Sequence, residues 1–274
     1  MKTSFYKMHG LGNDFVIMDE RASRLDLTPA RIAALSDRQR GIGCDQFVVL
    51  RPACRDGADV FVRFFNADGT ESGACGNASR CVAALIGDER GTMAPVLQTR
   101  AGLLPTRIAG DGVITVDMGP PALDWRDIPL VREVDTLHLP LWGDPAAASM
   151  GNPHATVFLD VGDTTDPRVR GPAMECDPLF PERANIGFAQ VRARDDMRLR
   201  VWERGAGLTL ACGSGACAAV VNAVRRGLVG RTCVVEMDGG VLSVTWRESD
   251  GHVLMSGPAV MSFEGTVALD TYPR

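Results

Sequence analysis

A short cysteine-containing motif occurs twice in this chain, and the two copies are separated by half the chain length. The motif reads ACGNASRCVA from Ala74 and ACGSGACAA from Ala211, so Cys75 and Cys212 lie 212 − 75 = 137 residues apart in a chain of 274 residues. Self-similarity at a fixed spacing is the sequence signature of a repeated structural unit. The spacing therefore predicts that the chain folds as two related halves.

Other segments repeat in the same order at nearly the same spacing. RFFNADG from Arg63 matches RVWERGAG from Arg200 and aligns Asn66 with Glu203. The remaining pairs align Asn13 with Asn152, Gly112 with Gly251, Gly119-Pro120 with Gly257-Pro258 and, at the larger offset of 144, Gln46 with Gln190. One such match between glycine-rich turns is expected by chance, but a set in constant order indicates a duplication.

Each half is predicted to be an α/β unit in which short strands rich in Val, Ile and Phe surround one long apolar helix. The two helices are expected at Asn77 to Ile86 and at Gly215 to Arg226. Both are apolar on nearly every side, as a helix enclosed by a sheet requires. Gly87 and Gly227 are expected to end these helices in the left-handed conformation.

The length and composition favour two globular domains. A chain of 274 residues with 45% apolar and 23% charged residues has enough apolar surface for two cores of about 130 residues each. The segment Gly119-Pro120-Pro121 is the expected boundary, because neither a helix nor a strand continues easily through two prolines. The predicted domains are therefore residues 1–119 and 120–263.

Charge, hydropathy and histidine spacing restrict the class of ligand. A net charge of −5 argues against nucleic acid, and no run approaches the roughly 20 apolar residues of a membrane span, so a small polar ligand is expected. The N-terminal residues lack the apolar core of a signal peptide, which favours the cytoplasm and thiols over disulfides. No metal site is expected, because zinc-ligand spacing is absent among His9, His138, His154 and His252.

Cys75 and Cys212 each precede a predicted helix. A helix N-terminus offers unpaired N–H groups and partial positive charge, so a thiol pKa is expected to be lowered and an anion bound there. The following glycine permits close approach of a ligand, and Asn77 or Ser214 adds a hydrogen-bonding group. If the two helix starts face each other, one thiolate can remove a proton from a carbon while the opposite thiol delivers another.

Packing is the expected role of the other cysteines, and the positions of the lysines argue against a pyridoxal phosphate mechanism. Buried packing is the expected role of the remaining thiols, which are Cys44, Cys54, Cys81, Cys176, Cys217 and Cys233. A racemase that uses pyridoxal phosphate needs a Schiff-base lysine, and this chain has only Lys2 and Lys7, both near its start. A cofactor is therefore not expected, and amides around the substrate carboxylate must stabilise the carbanion.

Several motifs in this order resemble the diaminopimelate epimerase family. They are KMHGLGNDFV, GIGCDQ, FNADG, ACGNASRC, SMGNPH, ERANIGF and ERGAGLTLACGSGACAA. The resemblance implies two barrel-like domains around central helices, a site in the cleft between them, a homodimer, and a C-terminal tail, residues 264–274, that packs on the first domain. It also implies cofactor-independent epimerisation of LL- to meso-2,6-diaminopimelate, a step in lysine and cell-wall precursor biosynthesis.

The resemblance also assigns roles to particular residues. It implies Cys75 and Cys212 as the acid–base pair and His154 and Glu203 as groups that tune their protonation. Substrate binding is implied for Asn13, Gln46, Asn66, Gly76, Asn77, Asn152, Asn185, Glu203, Arg204, Gly213 and Ser214. Arg204 is expected to pair with the distal carboxylate. Ser79 and Leu208 depart from the common family pattern, and no catalytic role is assigned to them.

Four alternatives stay open on the sequence. A related proline or hydroxyproline racemase would share the architecture without needing Arg204. A thiol redox protein would cycle Cys75 and Cys212 through a disulfide. A hydrolase would pair one cysteine with His154 but leave the duplication unexplained. A protein that only binds its ligand would keep the anion sites without either thiol, and asparagines in turns are often structural.

Overall fold

Contacts within the chain define two units in a computed structural model that describes residues 2–73 and 75–273. The first unit comprises the described residues up to Val116 and from Pro258 onward, and the second comprises Asp117–Gly257. The first unit contains, in chain order, β1 (Lys2–Gly10), β2 (Asn13–Asp19), α1 (Pro29–Ser36), β3 (Gln46–Arg51), β4 (Val60–Asn66), β5 (Glu71–Ser72), α2 (Gly76–Arg90), β6 (Val96–Thr99), β7 (Gly102–Ile108) and β8 (Ile114–Asp117).

The second unit repeats this order of strands and helices. It contains β9 (Ala146–Ser149), β10 (Pro153–Leu159), α3 (Pro167–Glu175), β11 (Asn185–Ala193), β12 (Asp196–Glu203), β13 (Gly207–Thr209), α4 (Gly213–Arg225), β14 (Thr232–Met237), β15 (Gly240–Trp246) and β16 (Val253–Gly257). Each element from β1 to β8 thus has a counterpart from β9 to β16, and α1 and α2 correspond to α3 and α4.

The strand pairings repeat as well. In the first unit β2 pairs antiparallel with β1 and parallel with β3, and β4 pairs antiparallel with β3 and parallel with β6. In the second unit β10 pairs antiparallel with β9 and parallel with β11, and β12 pairs antiparallel with β11 and parallel with β14. This identity of pairing confirms the predicted mixed α/β fold with an internal duplication.

The strand registers correct one predicted repeat. Gln46 of β3 pairs with Phe15, and Asn185 of β11 pairs with His154. Because Phe15 and His154 differ by 154 − 15 = 139 positions, the counterpart of Gln46 is Asn185, at the same offset of 185 − 46 = 139. The alignment of Gln46 with Gln190 was therefore wrong, because a shared Ile-Gly pair in the sequence does not share a strand register.

The end of the chain returns to the first unit through a last strand, β17 (Val260–Ala268), which a short 3₁₀ turn (Leu269–Thr271) follows. β17 pairs antiparallel with β1 along most of its length, from Lys2 opposite Ala268 to His9 opposite Val260. The chain therefore rejoins the first unit before residue 264, where the sequence placed the start of the returning tail. Leu269 and Val267 pack into the same core as Phe5 and Val16.

Each unit is built around its longer helix. α2 packs against β1, β2, β6 and β7, and Ala78, Cys81, Val82, Ala83 and Ile86 are completely buried. α4 packs against strands from β9 to β12 and from β14 to β16, and nearly all its residues are buried. This environment explains helices that are apolar on all sides. Within the described residues, no helix is both long and apolar enough to cross a membrane.

The helix ends differ in part from the sequence prediction. α2 continues through Gly87 to Arg90, and Gly91 ends it with φ of 63° in the left-handed region. Gly87 is instead required by packing, since a Cβ there would lie 2.3 Å from Cδ1 of Ile108. The prediction for the second helix is confirmed, because Gly227 follows α4 with φ of 71°.

Two of the cysteines assigned to packing are not buried. Cys54 lies in the loop after β3, and Cys176 follows the last residue of α3, and both are exposed. The predicted packing role is correct for the other cysteines of this set, which are buried. Burial raises the pKa of one of them, Cys81, to about 12. The buried cysteines lie in helices and strands or pack against them. The general tendency of free cysteines to be buried does not distinguish these positions from positions in loops.

We predict that Gly87→Ala destabilises the protein, although alanine favours a helix more than glycine does. The added methyl group meets Ile108, and overpacking costs about 1–3 kcal/mol. Urea unfolding should show that the double variant Gly87→Ala/Ile108→Val is more stable than Gly87→Ala, since valine lacks the Cδ1 atom. Ile108→Val alone is the control. A Gly87→Ala variant more stable than the native protein would refute the packing explanation.

Candidate active site

Cys75 is the N-terminal cap residue of α2. Its extended backbone, with φ of −148° and ψ of 107°, turns the chain into the helix, and its half-buried Sγ accepts the amide hydrogen of Ala78 over 3.4 Å. The carbonyl oxygen of Cys75 accepts hydrogen bonds from the backbone and the hydroxyl of Ser79, the latter over 2.8 Å. The sulfur therefore lies in contact with the positive end of a buried helix.

A chain of amide side chains leads from the first turn of α2 to the start of β2. Nδ2 of Asn77 donates to Oδ1 of Asn13 over 3.1 Å, and Nδ2 of Asn13 donates to Oδ2 of Asp45 over 3.0 Å. Because Asn13 accepts on one side and donates on the other, the orientation of its amide is fixed. Two residues predicted to bind substrate, Asn13 and Asn77, are thus brought together, and Asp45 orients them.

An ion network that the sequence did not reveal supports these hydrogen-bonded amide side chains. Asp14 accepts hydrogen bonds from Lys7 over 2.5 Å and from Arg38 over 2.6 Å, and Arg38 also contacts Asp45 over 2.7 Å. Although burial opposes ionisation of Asp14, the hydrogen bonds from Arg38 and Lys7 hold its pKa well below its usual range. Lys7 also donates to the carbonyl of Gly43. The network fixes the segment that carries Asp45.

Gln46 and Asn66 form a second polar pair in the first unit. They are opposite each other in the β3–β4 register, and Nε2 of Gln46 donates to Oδ1 of Asn66 over 3.2 Å. Nδ2 of Asn66 donates in turn to the hydroxyl of Thr70 over 3.0 Å. Both amides lie at strand ends, where side chains can contact a ligand without interrupting the sheet.

In the second unit, Cys212 caps α4 in the same extended conformation, with φ of −122° and ψ of 107°. Unlike Cys75, it is buried, and burial together with the neighbouring Glu203 carboxylate raises its pKa well above the usual value. A hydrogen bond to the amide of Gly215 acts in the opposite direction. The expected lowering at a helix N-terminus is therefore wrong for Cys212, because burial and Glu203 outweigh the helix amides.

His154 lies beside the start of α4 and is buried. Its Nε2 lies 2.9 Å from Oδ1 of Asn152 and 3.1 Å from the hydroxyl of Ser214. Burial, assisted by the charge of Arg204, lowers the pKa of His154 to about 3, so the ring is neutral at physiological pH. Ser214 in turn lies 3.8 Å from the sulfur of Cys212. His154 is thus connected to the thiol through Ser214.

The turn that carries Glu203 and Arg204 is attached to β11. Oδ1 of Asn185 accepts the amide hydrogen of Arg204 over 3.0 Å, and Nδ2 of Asn185 donates to the carbonyl of Pro153 over 3.0 Å. The guanidinium of Arg204 is exposed and donates to the carbonyl of Glu182 over 2.9 Å. Glu203 accepts a hydrogen bond from the hydroxyl of Thr209, a partner that the sequence did not suggest.

The two units therefore carry equivalent half-sites with different chemistry. The pair Asn13 and Asn77 in the first unit corresponds to Asn152 and Ser214 in the second. The position of His154 is occupied by Phe15 in the first unit, and the position of Glu203 by Asn66. At two equivalent positions the first half-site has Phe15 and Asn66, whereas the second has the titratable groups His154 and Glu203 near the buried thiol.

The chain is similar to known proteins along most of its length. The family model for diaminopimelate epimerase matches residues 5–123 and 146–262. The chain is 66% identical to the diaminopimelate epimerase of Gluconobacter oxydans over 268 residues, which cover 98% of this chain and 100% of that protein. The chain belongs to the diaminopimelate epimerase family. Like its relatives it is classed among the isomerases.

Two further comparisons concern the family and the fold. The chain is 59% identical to the diaminopimelate epimerase of Acidiphilium cryptum, with 95% of each chain covered. A crystal structure of a hydroxyproline epimerase from Agrobacterium vitis has the same fold, with a TM-score of 0.70 over 98% of this chain and 93% of that one. At 17% identity that likeness concerns the fold alone.

The positions that depart from the common family pattern have structural roles here. Ser79 is completely buried, and its hydroxyl hydrogen bond to Cys75 supports the start of α2. Leu208 lies half-buried in β13, beside the turn that carries Glu203. Among the described residues, no group of three or more His, Cys, Asp or Glu side chains has a geometry that could hold a metal ion.

The low pKa of His154 predicts a specific pH dependence of stability. In the unfolded state His154 takes up a proton near pH 6.5, but in the folded state it does so only near pH 3. The neutral ring therefore makes its full contribution to the free energy of unfolding above pH 6.5, and this contribution is lost as the pH falls toward 3. In His154→Phe, which introduces the residue of the first unit, this dependence disappears.

The measurement is the free energy of unfolding by urea between pH 6.5 and pH 5. The native protein should lose up to about 1.4 kcal/mol per pH unit more than His154→Phe does. His138→Phe, at an exposed histidine, is the control and should not flatten the profile. Equal slopes for the native protein and His154→Phe would contradict a buried, neutral His154.

Proposed function

We propose that this chain catalyses the epimerisation of LL-2,6-diaminopimelate to the meso isomer without a cofactor, with Cys75 and Cys212 as the acid–base pair. Membership of the family supports the substrate. The observation that carries the catalytic assignment is that each cysteine caps the central helix of its unit at equivalent positions. Packing alone does not require a cysteine at both helix starts, whereas proton transfer at two faces of one carbon requires two acid–base groups, and thiols can fill both roles.

The proposed reaction conserves protons. One thiolate takes the α-hydrogen of the substrate as a proton, and the electron pair of the broken C–H bond is delocalised into the α-carboxylate. The other thiol then gives its proton to the opposite face of the carbon and becomes a thiolate. Because burial and Glu203 raise the pKa of Cys212, we propose that Cys212 holds the proton before substrate binds. Cys75 is then the base for the stereoisomer whose α-hydrogen lies on the side of Cys75.

The substrate contacts are proposed from the two half-sites. The amides at Gly76 and Gly213, with the side chains of Asn77 and Ser214, would hold the reacting α-carboxylate and stabilise the developing charge. The exposed guanidinium of Arg204 is suited to the distal carboxylate. The remaining proposed contacts to the amino acid come from Asn13, Gln46, Asn66, Asn152, Asn185 and Glu203.

The proposal is tested by incubating the reduced protein with LL-diaminopimelate in deuterated water. Formation of the meso isomer and incorporation of deuterium at the α-carbon are expected, because the proton that is delivered comes from a thiol that exchanges with solvent. Parallel incubations with L-proline and with trans-4-hydroxy-L-proline should give neither product nor exchange. Absence of interconversion of diaminopimelate, or preference for a proline substrate, would refute the proposed specificity.

Variants of the cysteines test the two-base assignment. Cys75→Ala and Cys212→Ala should each lower kcat for epimerisation by at least about a thousandfold, because each removes a group that transfers a proton. Cys81→Ala is the matched control, since Cys81 lies in α2, the helix that Cys75 caps, but is completely buried in the core. Near-native activity of either cap variant would refute the assignment.

We also propose that the protein is a homodimer that works in the cytoplasm. Within the described residues β17 pairs with β1 alone, and Val260, Met261 and Phe263 on this strand are exposed. An edge strand with exposed apolar side chains favours association with another chain, and a second copy provides the same surface in return. The cytoplasmic location stays a prediction.

We expect Val260→Glu to convert the dimer into a monomer, because it places a charge in the apolar contact. Light scattering after size-exclusion chromatography measures the mass of each species. Val234→Glu is the matched control, since Val260 and Val234 are 42% and 41% exposed and Val234 lies on β14. A native protein that elutes as a monomer, or a Val260→Glu variant that stays dimeric, would refute the proposed surface.

A further inference from the structure

The carboxylate of Glu175 is buried at the end of α3, outside the set of residues assigned to the site. Its Oε2 accepts the indole hydrogen of Trp202 over 2.7 Å, and its Oε1 accepts the amide hydrogen of Gly205 over 2.9 Å. The guanidinium of Arg183 donates to Oε1 over 3.3 Å and is the cation that accompanies the buried charge. One carboxylate therefore connects α3 to both ends of a short turn.

That turn carries two of the proposed functional residues. Trp202 and Gly205 flank Glu203 and Arg204, and the turn closes with a hydrogen bond from the amide of Ala206 to the carbonyl of Glu203 over 3.1 Å. Gly205 has φ of 75°, a conformation that glycine adopts readily and that leaves the turn easily deformed unless it is held. The two hydrogen bonds to Glu175 hold it on either side.

Packing restricts Trp202 to the position that reaches Glu175. A Cβ at Gly171 of α3 would lie 2.4 Å from Cγ of Trp202, so the indole lies directly on the helix backbone. Gly207 lies near the outer edge of the indole, where an added Cβ would make an ordinary contact at 3.5 Å. The indole, α3 and the turn therefore form one packed unit with Glu175 at its centre.

We propose that Glu175 is a positioning residue that fixes Glu203 beside Cys212 and Arg204 at the substrate. The proposal rests on the proposed function for the roles of Glu203 and Arg204. Glu175 touches neither the thiol nor the proposed substrate position, and it acts through the backbone between Trp202 and Gly205. A carboxylate is needed because both oxygens accept hydrogen bonds, whereas a glutamine would turn an NH₂ group toward one of the donors.

The consequence for Cys212 can be measured directly. Burial and the Glu203 carboxylate both raise the pKa of this thiol, so a loosened turn lowers it by exposing the sulfur and by letting Glu203 move away. The rate of modification of Cys212 by methyl methanethiosulfonate, followed against pH by tandem mass spectrometry, reports this pKa. The measurement does not depend on the substrate or on activity.

The experiment compares Glu175→Gln with two reference variants. Glu203→Gln removes the neighbouring charge and defines the full shift in the pKa of Cys212. Glu20→Gln is the matched control, because Glu20 is a buried carboxylate that also accepts a backbone amide hydrogen, from Leu25 over 3.2 Å, and an arginine hydrogen, from Arg51 over 2.7 Å. Both Glu175→Gln and Glu20→Gln are expected to lower the melting temperature.

Glu175→Gln should move the titration of Cys212 to lower pH, toward that of Glu203→Gln, and Glu20→Gln should leave it unchanged. The value of kcat/KM for LL-diaminopimelate should fall by at least about tenfold in Glu175→Gln, the effect of losing a hydrogen bond to a charged group. A native Cys212 titration in Glu175→Gln would overturn the proposal. If the native protein does not epimerise diaminopimelate, the proposed function fails while the titration still decides the role of Glu175.

A milder variant serves if Glu175→Gln does not fold. Trp202→Phe keeps an aromatic ring on Gly171, while it removes the hydrogen bond from the indole to Glu175 and part of the ring volume. Its Cys212 titration should shift in the same direction by a smaller amount. An unchanged titration in a folded Trp202→Phe would overturn the proposal in the same way.

Discussion

The structure depends on two buried helices, and the N-terminus of each lies beside the polar side chains of its own half-site. α2 and α4 can be apolar on nearly all sides because strands enclose them, and the backbone N–H groups of their first turns need polar partners. A cysteine cap at such a position meets backbone N–H groups rather than a competing carboxylate, since neither first turn contains an acidic residue. The cores of both units thereby define where an anion can bind.

Duplication provides this arrangement twice, and divergence gives the copies different tasks. The first half-site retains amides, Asn13, Asn66 and Asn77, around a half-buried thiol. The second replaces two of the equivalent positions with titratable groups, Glu203 and His154, around a buried thiol. Proton transfer needs one thiol protonated and the other ionised, and unequal environments give the two cysteines different tendencies to hold the proton.

Residues that touch no proposed ligand position decide the geometry of both half-sites. Asp45 orients Asn13 in the first unit, and Glu175 holds the turn of Glu203 in the second. Both are carboxylates that combine a backbone amide and a side chain as donors, because Asp45 also accepts from the amide of Asp14. Glu175 is buried, so losing a hydrogen bond to its carboxylate is costly, whereas Asp45 is exposed and is held by its contact with Arg38.

The sequence by itself determined the duplication, the apolar central helices, the cysteine caps and the family, because each is written in local order and spacing. Only the tertiary structure decided that Gln46 corresponds to Asn185, since strand register depends on pairing between distant segments. It also decided that α2 ends at Gly91 and that the pKa of Cys212 is raised. Burial and the Glu203 carboxylate govern this pKa, and they arise only when the chain brings distant residues together.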